Sequence, residues 1–256
     1  MSEKLLIEID NHIAKLIINN PPANTWDQES LSFLKKSIEE LNDNKEIFSL
    51  VITGKGEKFF SAGADLKVFD KGGKEAANEM ATSFATAFST LSNFRGVSIA
   101  SINGFAMGGG LECALACDIR IAEKQAKLAL PEPKVGLLPC GGGTPQLPRL
   151  VGEGWAKRLI LAGEQVDAEL GLKIGLVEEV VETGESYTKG IELAEQVCNQ
   201  SPLSISACKA LIHSARSQQN SYESEKKPFV ELFDTQDQKE GVSAFLEKRP
   251  PKWRNA

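Results

Sequence analysis

Two glutamates stand where a carboxylate has no ordinary reason to be. Glu112 follows three glycines in GFAMGGGLECALACD (104–118) and is flanked by Leu111, Cys113, Ala114, Leu115 and Ala116. Further on, Glu132 sits in LALPEPKVGLLP, again a lone acid in an apolar stretch bracketed by prolines. A buried carboxylate costs desolvation and glycine costs backbone entropy, so a segment that accepts both points to chemistry. One such acid is ordinarily a satisfied structural group. Two of them, each beside a Gly or Pro turn, fit paired acid and base duty.

The glycines themselves admit two readings. A helix start leaves its first N–H groups unpaired, and glycines at 108–110 let a ligand approach those amides. The same glycines also suit close packing of a helix against a strand. A second Gly turn follows a strand end in FFSAGADL, where Gly63 and Ala64 can present another free amide. Two N–H groups from separate turns, converging on one oxygen, make an oxyanion hole.

The elements that must position these residues follow from periodicity. Residues 5–9 and 14–18 alternate apolar and polar side chains, predicting two strands around DNHI, and NNPPAN is a turn cluster. Leu31, Phe33, Leu34, Ile38 and Leu41 predict an amphipathic helix over 28–43, with Asp27 as its N-cap. A buried strand is expected at 49–54, a helix over 74–93, a strand at 96–104, and two short strands in DIRIAE and AKLAL. After PEPKVGLLPCGGGT the pattern is helical to the end, apart from GLVEEVVE (175–182). The recurrent unit is strand, strand, helix, with strands too short and spaced for one continuous doubly wound sheet. A composition shift near residue 200 divides a mixed α/β core (1–200) from a helical region (201–256).

Bulk properties exclude several classes. The 256 residues are 41% apolar and 25% charged, with a formal net charge of −6, as in ordinary soluble proteins and unlike a basic nucleic-acid binder. No run of roughly 18 apolar residues appears, and MSEKLLIEID lacks the features of a targeting segment, so a cytoplasmic location is expected. Cys113, Cys117, Cys140, Cys198 and Cys208 are scattered; Cys113 and Cys117 share a helix face but read as reduced core cysteines, with no metal site expected. His12 and His213 fall in no motif. VGEGWAK lacks the last glycine of a dinucleotide fingerprint, and Phe59 occupies the first glycine position of a nucleophile elbow in FFSAG.

FSAGADL, INGFAMGGGLECALACDIRIA, LPEPKVGLLPCGGGT and the terminal EGVSAFLEKRPPKW, in this order, together resemble the enoyl-CoA hydratase/isomerase (crotonase) family over nearly the whole chain. The resemblance implies an α/β spiral of repeated ββα units with a C-terminal helical trimerisation region, assembled as a homotrimer or a homohexamer built as a dimer of trimers. It implies an acyl-CoA thioester ligand in fatty-acid metabolism, such as β-oxidation, and no cofactor beyond the CoA that the substrate carries. Ala64 and Gly109 match the oxyanion-hole amides, and Glu112 and Glu132 match the two catalytic glutamates of the hydratases. Having both glutamates favours hydratase over enoyl-CoA isomerase; a methylglutaconyl-CoA-type hydratase stays open. A non-catalytic crotonase-like binding protein is the reading from another class, disfavoured by the two glutamates.

Ala62, Gly63, Ala64, Asp65 and Leu66 match positions lying against CoA, with Lys67 following, while Phe245 and Lys248 match positions that reach a neighbouring subunit's CoA. Cys140 departs from the glycine of many members, whose amide positions water; cysteine keeps that N–H if its φ/ψ suits a residue with a Cβ. Pro145-Gln146 departs from the usual Gln-Arg. In the family the stretch 66–90 shapes the acyl pocket; Phe69, Met80, Phe84 and Phe88 line it or form core, and helical spacing favours core.

Overall fold

Leu5, Ile7 and Ile9, alternating with polar residues, form β1 (Leu5–Asp10), which pairs antiparallel with β2 (Ile13–Ile18). This computed structural model describes residues 3–66, 73–215, 229, 231–232 and 234–256. Helix α1 (Gln28–Asp43) starts at Asp27 as the sequence predicts. The Asp27 carboxylate accepts from the Ser30 N–H at 2.9 Å, and the Ser30 hydroxyl accepts from the Asp27 N–H at 2.9 Å, a reciprocal capping box.

Three strand–strand–helix turns follow. The first is β3 (Ser49–Gly54), β4 (Phe59–Ser61) and α2 (Lys74–Ser92). The second is β5 (Val97–Ile102), β6 (Phe105–Met107) and α3 (Gly109–Ala116). The third is β7 (Ile119–Glu123) and β8 (Lys127–Ala129), a 3-10 turn over Glu132–Val135, and α4 (Gly143–Leu161), interrupted at Gly152. Then come β9 (Val166–Asp167), α5 (Ala168–Lys173), β10 (Glu179–Val181), α6 (Ser186–Cys198), α7 (Pro202–Ser214) and α8 (Gln236–Glu247).

As expected, the strands do not form one continuous doubly wound sheet but divide between two sheets. The first strands of the turns join a six-stranded sheet, β1-β2-β3-β5-β7-β10, parallel from β2 onward. The second strands form a separate four-stranded sheet, β4-β6-β8-β9. Each unit divides its strands between two sheets, so the chain reads as scattered although each sheet is regular. Two short strands escaped the sequence reading: β6 lies in the stretch taken to follow a single strand at 96–104, and β9 lies in the stretch taken as helical. Both are at most three residues long, too short to show period two.

Trp26, Leu34, Ile38, Leu50, Ile52, Phe60, Phe88 and Phe94 are sealed in the core between the sheets and α1 and α2. The opposite face of the large sheet is covered by α6, through Ile13, Val51, Ile99, Ile121 and Ala194. Helix α7 is tied to this body by Lys209, whose Nζ donates to Phe94 O at 2.6 Å, Gly96 O at 2.9 Å and Asp118 Oδ2 at 2.6 Å. Asp118 also accepts from the Ser98 N–H and hydroxyl; burial pushes its carboxyl up, and His213, Lys209 and Ser98 together hold it below the usual range. Among the described residues, no helix is long and apolar enough to cross a membrane.

Candidate active site

Strands β4, β6 and β8 are parallel neighbours, and the carboxyl end of each releases one part of the site. From β4 come Ala62 to Leu66, from β6 come Gly108 to Glu112, and from β8 comes the turn holding Glu132. Of these residues Ala62, Gly63, Ala64, Leu66, Gly108, Gly109, Glu112 and Glu132, together with Phe84, Lys134, Val135, Leu137, Leu138 and Cys140, line a cavity of about 310 Å³. The sequence put these residues in three separate segments; the small sheet brings them together.

Each of the three glycines has its own duty. Gly108 adopts φ 52° and ψ −125°, a left-handed conformation that disfavours side chains, and a Cβ there would lie 3.1 Å from Glu132 Oε1. A Cβ on Gly109 would press on the Phe84 ring at 2.7 Å. At Gly110 it would meet Ser61 O at 2.1 Å, so α3 rests directly on the end of β4. The close-packing reading therefore describes this run, and Gly108 and Gly109 also line the cavity.

The β4 turn is held by residues 23–26. Ala62 N–H donates to Ala23 O, Trp26 N–H to Gly63 O, and Asp65 N–H to Trp26 O, while Asn24 Nδ2 donates to Lys55 O and Phe59 O. Trp26 pairs with Ala64 in an isolated parallel bridge, and Ala64 sits between the two main-chain bonds to Trp26. Among the described residues neither the Ala64 nor the Gly109 N–H donates a hydrogen bond, and both residues line the cavity. A Cβ on Gly63, which has φ 91°, would stand 2.7 Å from Met107 O and 3.1 Å from Gly109 N. Glycine at 63 is what lets the two donor turns lie side by side.

The two acids have opposite surroundings. Glu112 is only 2% exposed, and its Oε1 accepts from the Gly141 and Gly143 N–H groups, each at 2.8 Å. Burial raises its pKa, and the amides of Gly143, Gly141 and Cys140 oppose that rise by stabilising the carboxylate. Glu132 has no such support: both its carboxyl oxygens are buried, and neither has a hydrogen-bond partner among the described residues. Burial first, with the charge of Glu112 adding to it, pushes Glu132 up to about 7. One carboxyl is therefore aimed by amides that favour its charged form against burial, while the other, without that support, is poised to carry a proton near neutrality. This division is what acid–base work on adjacent atoms needs.

Cys140 lines the cavity without a left-handed backbone, so a side chain is accommodated at this position. Burial, Glu112 and Glu132 push its thiol up to about 11, so it is not a thiolate nucleophile. Of the positions expected to lie against CoA, Ala62, Gly63, Ala64 and Leu66 line the cavity, whereas Asp65 lies outside its lining with its N–H turned to Trp26. Lys248 is exposed just beyond α8, in a left-handed conformation with φ 55°. Lys67, Phe69 and the side chain of Phe245 lie outside the described residues. Met80, Phe84 and Phe88 are buried core residues, with Phe84 also reaching the cavity wall. Cys113 and Cys117 are free and buried.

Sequence reasoning missed the amides that aim Glu112. The run CGGGT was the available signal: a Cβ on Gly141 would lie 3.0 Å from Glu112 Oε2, and one on Gly143 3.0 Å from Oε1. It also missed Asn24, in the NNPPAN turn cluster, and Trp26 just beyond it, which act on the β4 turn.

The chain is 38% identical over 252 residues to a probable enoyl-CoA hydratase of Bacillus subtilis, covering 97% of each chain. It is 36% identical to a crotonyl-CoA hydratase of Syntrophomonas wolfei, covering 96% of each. The solved structure of Pseudomonas aeruginosa DspI superimposes with a TM-score of 0.96 at 59% identity, covering 99% of this chain and 97% of that one. A sequence model of the enoyl-CoA hydratase/isomerase family matches residues 8–256, and the chain belongs to that family.

Proposed function

We propose that this protein is an enoyl-CoA hydratase, a hydro-lyase that reversibly adds water across the C2–C3 double bond of a trans-2-enoyl-CoA to give a 3-hydroxyacyl-CoA. The observation that carries the reading is one cavity holding an amide-anchored carboxylate, a partnerless buried carboxyl and two unused main-chain donors. The relatives named enoyl-CoA hydratase and crotonyl-CoA hydratase support the same reaction.

The residues then take roles set by charge. The Ala64 and Gly109 N–H groups hold the thioester oxygen, drawing electrons from the double bond and making C3 electrophilic. Glu112, ionised, takes a proton from a water molecule as its oxygen bonds to C3, with the Cys140 amide helping to place that water. The C2–C3 π electrons pass into the enolate, and Glu132 delivers its proton to C2. Ala62 to Lys67 contact the CoA moiety, with Phe245 and Lys248 reaching the CoA of a neighbouring subunit. The region 201–256 forms the contacts of a homotrimer or a dimer of trimers; the exposed Ile212 of α7 and Val242 and Leu246 of α8 support this. The chemistry calls for no cofactor beyond substrate CoA, and the reaction suits cytoplasmic fatty-acid metabolism.

The direct test is crotonyl-CoA. Addition of the protein should produce a steady fall in the enone-thioester absorbance, with 3-hydroxybutyryl-CoA as product. An unchanged trace across enoyl chain lengths would overturn the proposal.

Gly63→Ala tests the oxyanion hole. Its φ of 91° and its Cβ contacts with Met107 O and Gly109 N force the two turns apart. Turnover should fall on the order of 10²–10³-fold, the usual cost of one lost oxyanion donor, while circular dichroism stays that of the folded protein. Near-normal turnover would show that the two turns do not act together.

A further inference from the structure

Behind the catalytic cavity lies a second one, of about 390 Å³, between the end of α2 and the start of α4. Its lining includes Ala85, Phe88, Ser89, Pro139 and Pro145. Among the described residues Cys140 is the one lining both. The wall between them is close-packed: a Cβ on Gly141 would touch Phe88 Cδ2 at 2.6 Å and Glu112 Oε2 at 3.0 Å. Phe88 in turn meets Phe84, which lines the catalytic side, edge to face at 5.5 Å between ring centres.

The order of atoms along the substrate fixes which wall the acyl chain meets. C1 lies at the Ala64 and Gly109 amides, C2 at Glu132 and C3 at Glu112, so C4 and the carbons beyond it head past Glu112. What stands there is Cys140, Gly141 and Phe88. Gly141 has no side chain to give up, and Phe88 is core. Cys140 is therefore the removable part of the wall.

We propose that the Cys140 side chain is the chain-length stop of this protein, closing the acyl end of the catalytic cavity and shutting the second cavity off from it. This rests on the hydratase reading for its atom order. It makes the wild type selective for short enoyl thioesters, and makes the second cavity space that a longer chain enters only once the thiol is gone.

The experiment compares kcat/KM for crotonyl-CoA and trans-2-octenoyl-CoA. Cys140→Gly should raise the octenoyl-to-crotonyl ratio at least tenfold, the scale on which a hydrophobic pocket discriminates by chain length. Ser89→Phe, which fills the second cavity from α2, should leave the wild-type ratio unchanged and return the ratio of Cys140→Gly toward it. Calorimetric binding of octanoyl-CoA against butyryl-CoA reads the same preference if the glycine variant folds but turns over poorly. An unchanged ratio in Cys140→Gly by both measurements overturns the proposal. So does a loss of octenoyl turnover in Ser89→Phe alone, since the chain would then already occupy the second cavity. Failure of the hydratase reading is separate: it appears as wild-type protein inert toward both substrates, with the binding preference still measurable.

Discussion

Glu112→Gln is expected to lower the turnover of crotonyl-CoA by roughly 10²–10⁴-fold, the range for loss of a positioned proton-transfer group, with no loss of fold. The structure makes this a clean substitution. Glutamine has the shape of glutamate, and its amide oxygen can still accept the Gly141 and Gly143 N–H groups that now meet Oε1 at 2.8 Å. What disappears is the negative charge, and with it the ability to take a proton from water. Because the wild-type carboxylate is desolvated at 2% exposure, the neutral side chain should unfold at a temperature no lower than wild type. Near-full activity would remove Glu112 from the mechanism. Activity lost together with the folded circular dichroism would instead make it a structural acid.

The pairing of Glu112 with Glu132 was legible because both acids stand in apolar surroundings, a contradiction visible without coordinates. The donor turns were legible for a similar reason, since GGG and SAG mark places where a side chain is unwelcome. What was not legible is the asymmetry between the two acids. It depends on Gly141 and Gly143 folding back from the start of α4 onto Glu112, and on no hydrogen-bond donor among the described residues reaching the Glu132 carboxyl. Main-chain donors leave no side-chain signature, which also hid Trp26 bracketing Ala64. The helices and longer strands followed periodicity closely: α1 is found at Gln28–Asp43 and β3 at Ser49–Gly54, as expected. The two-sheet arrangement was out of reach of the residues alone, because β4, β6, β8 and β9 have two or three residues each and draw their identity from their neighbours.

Glu132→Gln should also lower turnover roughly 10²–10⁴-fold, and it carries a pH signature that Glu112→Gln lacks. Water addition moves one proton onto Glu112 and one off Glu132, so the pair holds a single proton before and after reaction. The wild-type kcat/KM profile should therefore be bell-shaped and the same for hydration and dehydration. Its upper limb should lie near the value of about 7 to which burial and Glu112 push Glu132. Stability follows the same group with a definite sign. A carboxyl raised from 4.5 to about 7 binds its proton more tightly in the folded state. Its stabilising contribution is complete below 4.5 and is lost as pH rises through about 7, where the charged, partnerless carboxylate must be buried. Glutamine escapes that cost. The difference in melting temperature between Glu132→Gln and wild type should thus grow in favour of the variant from pH 4.5 to pH 8.5. A difference that stays flat across this range would mean that Glu132 is solvated and ionised throughout, and that C2 receives its proton from elsewhere.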